Sequence, residues 1–242
     1  MRIVALVPSQ TELLADLGLD EEVVGLTRFC VHPTGWKARK TIVGGTKDVR
    51  VDRVLALDPD LVVANKEENV REQVEALAAH TDVLVTDVGD VAGALAMIRD
   101  VGAAVERAKT ANALADEIAA GFDGLEAGPP LRAVYLIWRE PWMTVGGDTF
   151  IHSVMARAGL VNRFSDRTRY PVVTPDEIAA TRPDVLLLSS EPYPFAERHV
   201  AEARALAPGA RVALVDGEVF SWYGSRMQAA PAALRALRTR LG

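Results

Sequence analysis

Two residues apart in the stretch RFCVHPTGWK, Cys30 and His32 pair a soft thiol with an imidazole. Such a pair can bind zinc or reach the metal of a bound chelate. Glu67, Glu68 and His152 are possible company. A structural zinc site needs four ligands at recognisable spacing, and only these two stand close in the chain. A loop cysteine packed as a small hydrophobe is the plainer alternative. Other reactive constellations are missing. GGTK (44–47) lacks the glycine spacing of a phosphate loop, no GxGxxG follows an apolar run, GxSxG is absent, and no two carboxylates stand out as general acid and base. An enzyme is therefore not expected. Ser9, Gln10 and Thr11 open a helix whose first N–H groups could take a carboxylate or phosphate, or could simply be capped. Asp148-Thr149 ahead of His152 reads as a helix cap. His80 and His199 fall in helical patterns and read as surface.

A second set is richer. Aromatic residues make up only 6% of the chain, yet most follow the apolar runs rather than lying within them. RFCVHPTGWK (28–37), REPWMTVGGDTF (139–150), EPYPF (191–195) and FSWYGSR (220–226) hold most of the rings, and FSDRTRYP (164–171) adds Tyr170. Loops run over the surface. Rings displayed there beside guanidinium groups suit a large, flat, partly apolar ligand with acidic or amide edges. The alternative is that the rings merely cap the ends of sheets. Trp36, Trp142, Tyr170, Tyr193, Phe195, Trp222 and Tyr223 are the expected walls of such a site. Arg28, Arg139 and Arg226 are its expected polar clamps.

Positioning these turns requires a scaffold, and the pattern specifies one. Short β-branched runs at 2–7, 23–27, 41–45, 60–65 and 82–87 alternate with helical patterns at 11–17, 51–57 and 69–79. The alternation resumes with strands at 131–138, 184–190 and 211–216 and helices at 149–158, 175–180, 196–206 and 226–241. Apolar strands separated by helices of period 3.6 mean a mostly parallel sheet covered on both faces. Between them, 91–125 contains almost no breaker, with Leu95, Ile98, Val101, Val105, Leu114, Ile118 and Phe122 near helical spacing. One unbroken helix of that length would span on the order of 45 Å. Gly102 weakens it slightly, and AGPP (127–130) ends it.

The two halves also share a phrase. PDLVVANKE (59–67) and PDVLLLSSE (183–191) match at Pro59/Pro183, Asp60/Asp184 and Glu67/Glu191 with a constant offset. The expected architecture is α/β: two Rossmann-like lobes with mostly parallel sheets joined by one long backbone helix. The N-terminal lobe would cover 1–90, the linking helix 91–126 and the C-terminal lobe 127–242. Ligands of such sheets sit beyond the carboxyl ends of the strands, so a cleft at the junction of two facing lobes is the expected place for one.

Composition narrows the rest. A net charge of -6 argues against nucleic acid, whose backbone demands clustered Lys and Arg. One cysteine excludes an internal disulfide. No run reaches the roughly 18 apolar residues of a membrane span. MRIVALVPSQ already reads as a core strand rather than a leader, so a cytosolic monomer is expected, or a periplasmic or extracellular one if the N-terminus was trimmed.

Two lobes, a linking helix and repeated strand-PD…E turns resemble the helical-backbone class of substrate-binding proteins, which serve ABC importers of cobalamin, iron-siderophores and haem. The resemblance covers nearly the whole chain. GGTKD (44–48), PDLVVANKEEN (59–69), SSEPYPF (189–195) and FSWYGSRM (220–227) are similar to a cobalamin-binding subgroup. The resemblance implies a corrinoid or similar metal-chelate as ligand, no required cofactor, and an ABC permease partner. It also implies that one acidic side chain per lobe docks on that permease, which here falls on Glu67, or Glu68 in its place, and Glu191. A metal-ion binder or chaperone using Cys30 and His32, and an enzyme acting on a corrinoid or tetrapyrrole precursor, remain the alternatives.

Overall fold

The computed structural model describes residues 1–126 and 128–242. Its backbone packs as two units. One comprises Met1–Val88, Ala92–Ala119 and Tyr223–Arg226; the other comprises Gly89–Val91, Ala120–Trp222 and Met227–Gly242.

The first unit carries five parallel strands: β1 (Ile3–Ala5), β2 (Val23–Leu26), β3 (Thr41–Ile42), β4 (Leu61–Asn65) and β5 (Asp82–Thr86), in the order β3-β2-β1-β4-β5. Helices α1 (Pro8–Asp16), α2 (Trp36–Arg39), α3 (Val51–Leu55) and α4 (Arg71–Ala78) connect them. β1 and β4 are buried along their whole length, which is why they read as continuous apolar runs. Val4, Leu6, Val43, Val54, Val62, Ala64 and Leu77 form one core of this unit.

The second unit repeats the plan with four parallel strands: β6 (Leu131–Leu136), β7 (Leu160–Asn162), β8 (Val185–Ser189) and β9 (Arg211–Val215), in the order β7-β6-β8-β9. Its helices are α7 (Phe150–Arg157), α8 (Pro175–Ala180), α9 (Val200–Leu206), α10 (Gly217–Ser221) and α11 (Ala230–Leu241). β7 is a strand that the sequence pattern does not announce; it has three residues and an exposed centre at Val161.

The doubled phrase has a physical reason at each end. β4 lies between β1 and β5, and β8 lies between β6 and β9, so the two copies are equivalent strands. Each is entered through a left-handed residue before the proline, Asp58 and Arg182, and each proline is buried. The aspartate then staples its strand to the start of the neighbour. Asp60 accepts from the Arg2 N–H at 2.6 Å and returns its own N–H to the Arg2 carbonyl. Asp184 does the same with Arg132 and also takes its guanidinium at 2.8 and 3.1 Å. At the far end, the Asn65 side chain accepts from the Glu67 and Glu68 N–H groups, and Ser189 Oγ accepts from the Glu191 N–H. These side-chain turns fix where each glutamate leaves its strand.

The reading of 91–125 as one helix is corrected. The chain forms α5 (Val91–Ala104) and α6 (Ala108–Asp123). Glu106 takes a left-handed φ of 58°, Arg107 N–H bonds to the Gly102 carbonyl at 2.7 Å, and Glu106 N–H bonds to the Ala103 carbonyl. That is a Schellman ending with glutamate where glycine is usual. The helices fold back on each other, so that Arg99 reaches Asp116 at 2.7 Å. A Cβ on Gly102 would lie 2.1 Å from the Ala111 Cβ, so only glycine allows this approach. α5 lies almost wholly in the first unit, and the unit boundary falls inside α6. Ala127, the expected first residue of the second lobe and of the AGPP break, lies outside the described residues.

Candidate functional site

In the second unit the expected rings come together. The chain leaves β6 at Ile137, turns through Trp138–Met143, and pairs again by isolated antiparallel bridges of Met143 with Trp138 and Val172. The chain leaving β8 runs alongside, with the Tyr193 N–H on the Ile137 carbonyl. Four rings then interlock. Trp142 stacks on Phe195 with centroids 6.1 Å apart and planes parallel; Tyr193 meets Phe195 at 4.7 Å; Trp138 stands edge-on to Tyr193 at 5.6 Å. Phe195 is buried as the floor, Trp142 and Tyr193 are half-buried, and Trp138 is 39% exposed. Arg139 borders them, paired with Glu202 at 2.7 Å and Glu140 at 3.0 Å and hydrogen-bonded to the Tyr193 side chain. Tyr170 is half-buried on the adjoining loop. That loop hugs the Gly146-Gly147 backbone, where added Cβ atoms would come within 2.4 and 2.2 Å of the Arg167 and Ser165 carbonyls.

His199 is the group that the sequence pattern misplaces. It is 6% exposed, not a surface residue, and it lies edge-on to both Tyr193 and Phe195. His80, by contrast, is exposed as expected. Trp138 was legible only as a strand end, and Phe29 only as one ring among several; exposure singles both out.

Trp222 is half-buried, and its side chain bonds to Glu191. Burial pushes the Glu191 carboxyl above its ordinary range, opposed by the hydrogen bond that the Ser221 hydroxyl donates to it. Glu191 is therefore half-buried and held. Glu67 is also half-buried, and its carbonyl accepts from Lys47.

The remaining expected residues belong to the first unit. Arg28 makes a two-pronged bond to Asp48 at 2.9 and 3.0 Å and lies over Phe29, which is 50% exposed. Trp36, expected as a wall, is 3% exposed and sits beneath Lys40, so it offers its ring to the core instead. Tyr223 is 8% exposed, likewise a packed residue. Arg226 is clamped by Glu12 at 2.6 and 2.8 Å.

The metal reading meets a structural obstacle. Cys30 is fully buried, the Thr11 hydroxyl bonds to its sulfur at 3.1 Å, and the Thr27 hydroxyl lies 3.2 Å away. Burial raises its thiol pKa, which disfavours the thiolate that a metal needs. Among the described residues, no three of His, Cys, Asp and Glu cluster as a metal site. Thr149 caps α7 by accepting the His152 N–H, as the sequence suggests. A hollow of about 450 Å³ near that cap is lined by Asp90, Asp148, His152 and Ser153. It contains none of the interlocked rings.

Known proteins share this fold. A family model described as "Periplasmic binding protein" matches residues 3–207. The vitamin B12-binding protein of Yersinia pestis (strain Pestoides F) is 26% identical over 201 residues, 78% of this chain and 69% of that protein. The periplasmic vitamin B12 binding protein BtuF of Vibrio cholerae superposes with a TM-score of 0.84 at 18% identity, covering 99% of this chain and 97% of that one. The periplasmic haem-binding protein BhuT, solved with two haems, gives 0.82 at 25% identity, over 99% and 97%. All of these are named as binding proteins, in line with the expected non-enzyme. No described helix is long and apolar enough to cross a membrane.

Proposed function

The chain belongs to the periplasmic binding protein family, and from that membership we propose that it binds a corrinoid, or a similarly large and flat metal-chelate, for an ABC importer. The observation that carries the reading is the ring set of the second unit. Phe195 forms its floor, Trp142 and Tyr193 its half-buried walls, and Trp138 its exposed edge, with Arg139 alongside. Large planar ligands gain from such faces by stacking, and guanidinium groups suit their polar edges. Arg28 and the exposed Phe29 offer a smaller set of the same chemistry on the first unit. Arg226 contributes less, because Glu12 already occupies its fork. The family's description as periplasmic supports a location outside the cytoplasmic membrane over the cytosolic expectation.

The permease would be met through the turns after β4 and β8, where Glu67 and Glu191 stand in matching places. Glu191 would present its carboxylate only after releasing Ser221 and Trp222.

Titration of the purified protein with cyanocobalamin and with haemin, followed by tryptophan fluorescence and calorimetry, tests the ligand class. Trp138→Ala and Trp142→Ala should each weaken binding by about 2- to 10-fold, the share of one ring contact. Failure of both compounds to bind, or indifference to both substitutions, would refute the reading.

A further inference from the structure

We infer that His199 is a positioning residue that orders the Tyr193–Phe195 ring pair; its bearing on ligand binding rests on the function proposed above. The imidazole is buried at the start of α9, in the turn Ala196–His199, which is closed by one bond from the ring and one from the main chain of this residue. The backbone N–H of His199 bonds to the Ala196 carbonyl at 2.9 Å, and the ring Nδ1 accepts from the Ala196 N–H at 3.0 Å.

A neutral imidazole has one acceptor nitrogen, and Ala196 uses it. Nε2 therefore carries the proton, and it faces the Tyr193 hydroxyl at 3.3 Å. The Arg198 Nε–H also points at Nε2 from 3.2 Å; one imidazole cannot accept at both nitrogens, and the exposed arginine is the partner that yields. The same ring meets Tyr193 edge-on at 5.4 Å and Phe195 at 5.6 Å, with interplanar angles of 62° and 89°.

The hold extends further. The Tyr193 side chain also bonds Arg139, whose guanidinium is paired with Glu202 on α9 and with Glu140. One imidazole thus fixes a backbone turn, two ring planes and, through the tyrosine hydroxyl, the nearest cation. A core histidine that only filled space would need neither the Nδ1 bond nor the hydroxyl.

Three variants test this. Asparagine can place its carbonyl oxygen where Nδ1 accepts, glutamine reaches instead toward the Nε2 position, and alanine supplies neither. In ligand-free protein, His199→Ala should keep its far-ultraviolet dichroism and lose much of the near-ultraviolet aromatic signal. His199→Asn should recover most of that signal, and His199→Gln should not. With cyanocobalamin or haemin as the probe, the dissociation constant should rise about tenfold in the alanine and glutamine variants and stay near wild type in the asparagine variant. If His199→Ala does not fold, the contrast between asparagine and glutamine decides.

A wild-type aromatic spectrum in His199→Ala, or equal behaviour of the asparagine and glutamine variants, overturns the inference. If wild type binds neither probe but the spectra change as described, the proposed function falls while the positioning role stands. If wild type binds and His199→Ala matches it in both readouts, the reverse holds.

Discussion

Replacing Gly102 with alanine separates two descriptions of residues 91–125 by the sign of a single free energy. Were the segment one continuous helix, positions 102 and 111 would lie about 13 Å apart along it. Alanine would then stabilise by about 1 kcal/mol, the ordinary gain over a helix-interior glycine. In the folded chain α5 and α6 turn back on each other, and the new methyl would lie 2.1 Å from the Ala111 Cβ. The helices must separate, which also strains the Arg99–Asp116 pair across them. Overpacking of this kind costs about 1–3 kcal/mol. With that contact far inside van der Waals range, the upper part of the range applies and outweighs the propensity gain, for a net loss of about 1–2 kcal/mol. For a chain of this size that lowers the thermal midpoint by about 2–8 °C. Scanning calorimetry and urea melts followed by circular dichroism would read it. Ala111→Gly should rescue the alanine variant, and the double-mutant cycle should return a favourable coupling of about 1–3 kcal/mol. A midpoint that rises in the single variant, or a coupling near zero, would refute the hairpin.

Two further outcomes follow from the ionisation of particular groups. The Arg132 guanidinium holds the Asp184 carboxyl at about 2. A depressed carboxylate pKa contributes stability that is fully present above the unfolded value near 3.8 and is lost as pH falls toward 2. The gap in thermal midpoint between wild type and Asp184→Asn should therefore be widest near neutral pH and shrink between about pH 4 and 2; a pH-independent gap would sink this account. Glu177, also held at about 2, by Arg167, should leave some acid sensitivity in the variant. Cys30, buried and with its thiol pKa raised, should react with an aromatic disulfide reagent at least about a hundredfold more slowly in the native protein than in denaturant; comparable rates would mean that the Thr11–Thr27 pocket opens freely.

Much of this protein was legible in its residues. Parallel sheets buried on both faces demand largely apolar strands, and β1, β4 and β8 are written that way. The doubled PD…E phrase could be recognised as one strand in two copies because its aspartate, its apolar run and its terminal turn are all local chemistry. Caps such as Thr149, and Thr174 with Glu177, are local too. Tertiary structure alone decided the rest. The end of α5 is invisible in the pattern because Glu106 takes a left-handed conformation that sequence reading expects of glycine, and it is enforced by the approach of Gly102 to Ala111 from another helix. Whether a ring is wall or core depends on what packs over it, and that separates exposed Trp138 and Phe29 from buried Trp36 and Tyr223. Periodicity carries no information about the partner of a polar atom. It could not tell that Arg226 belongs to Glu12, or that His199 faces inward onto Tyr193 and Phe195.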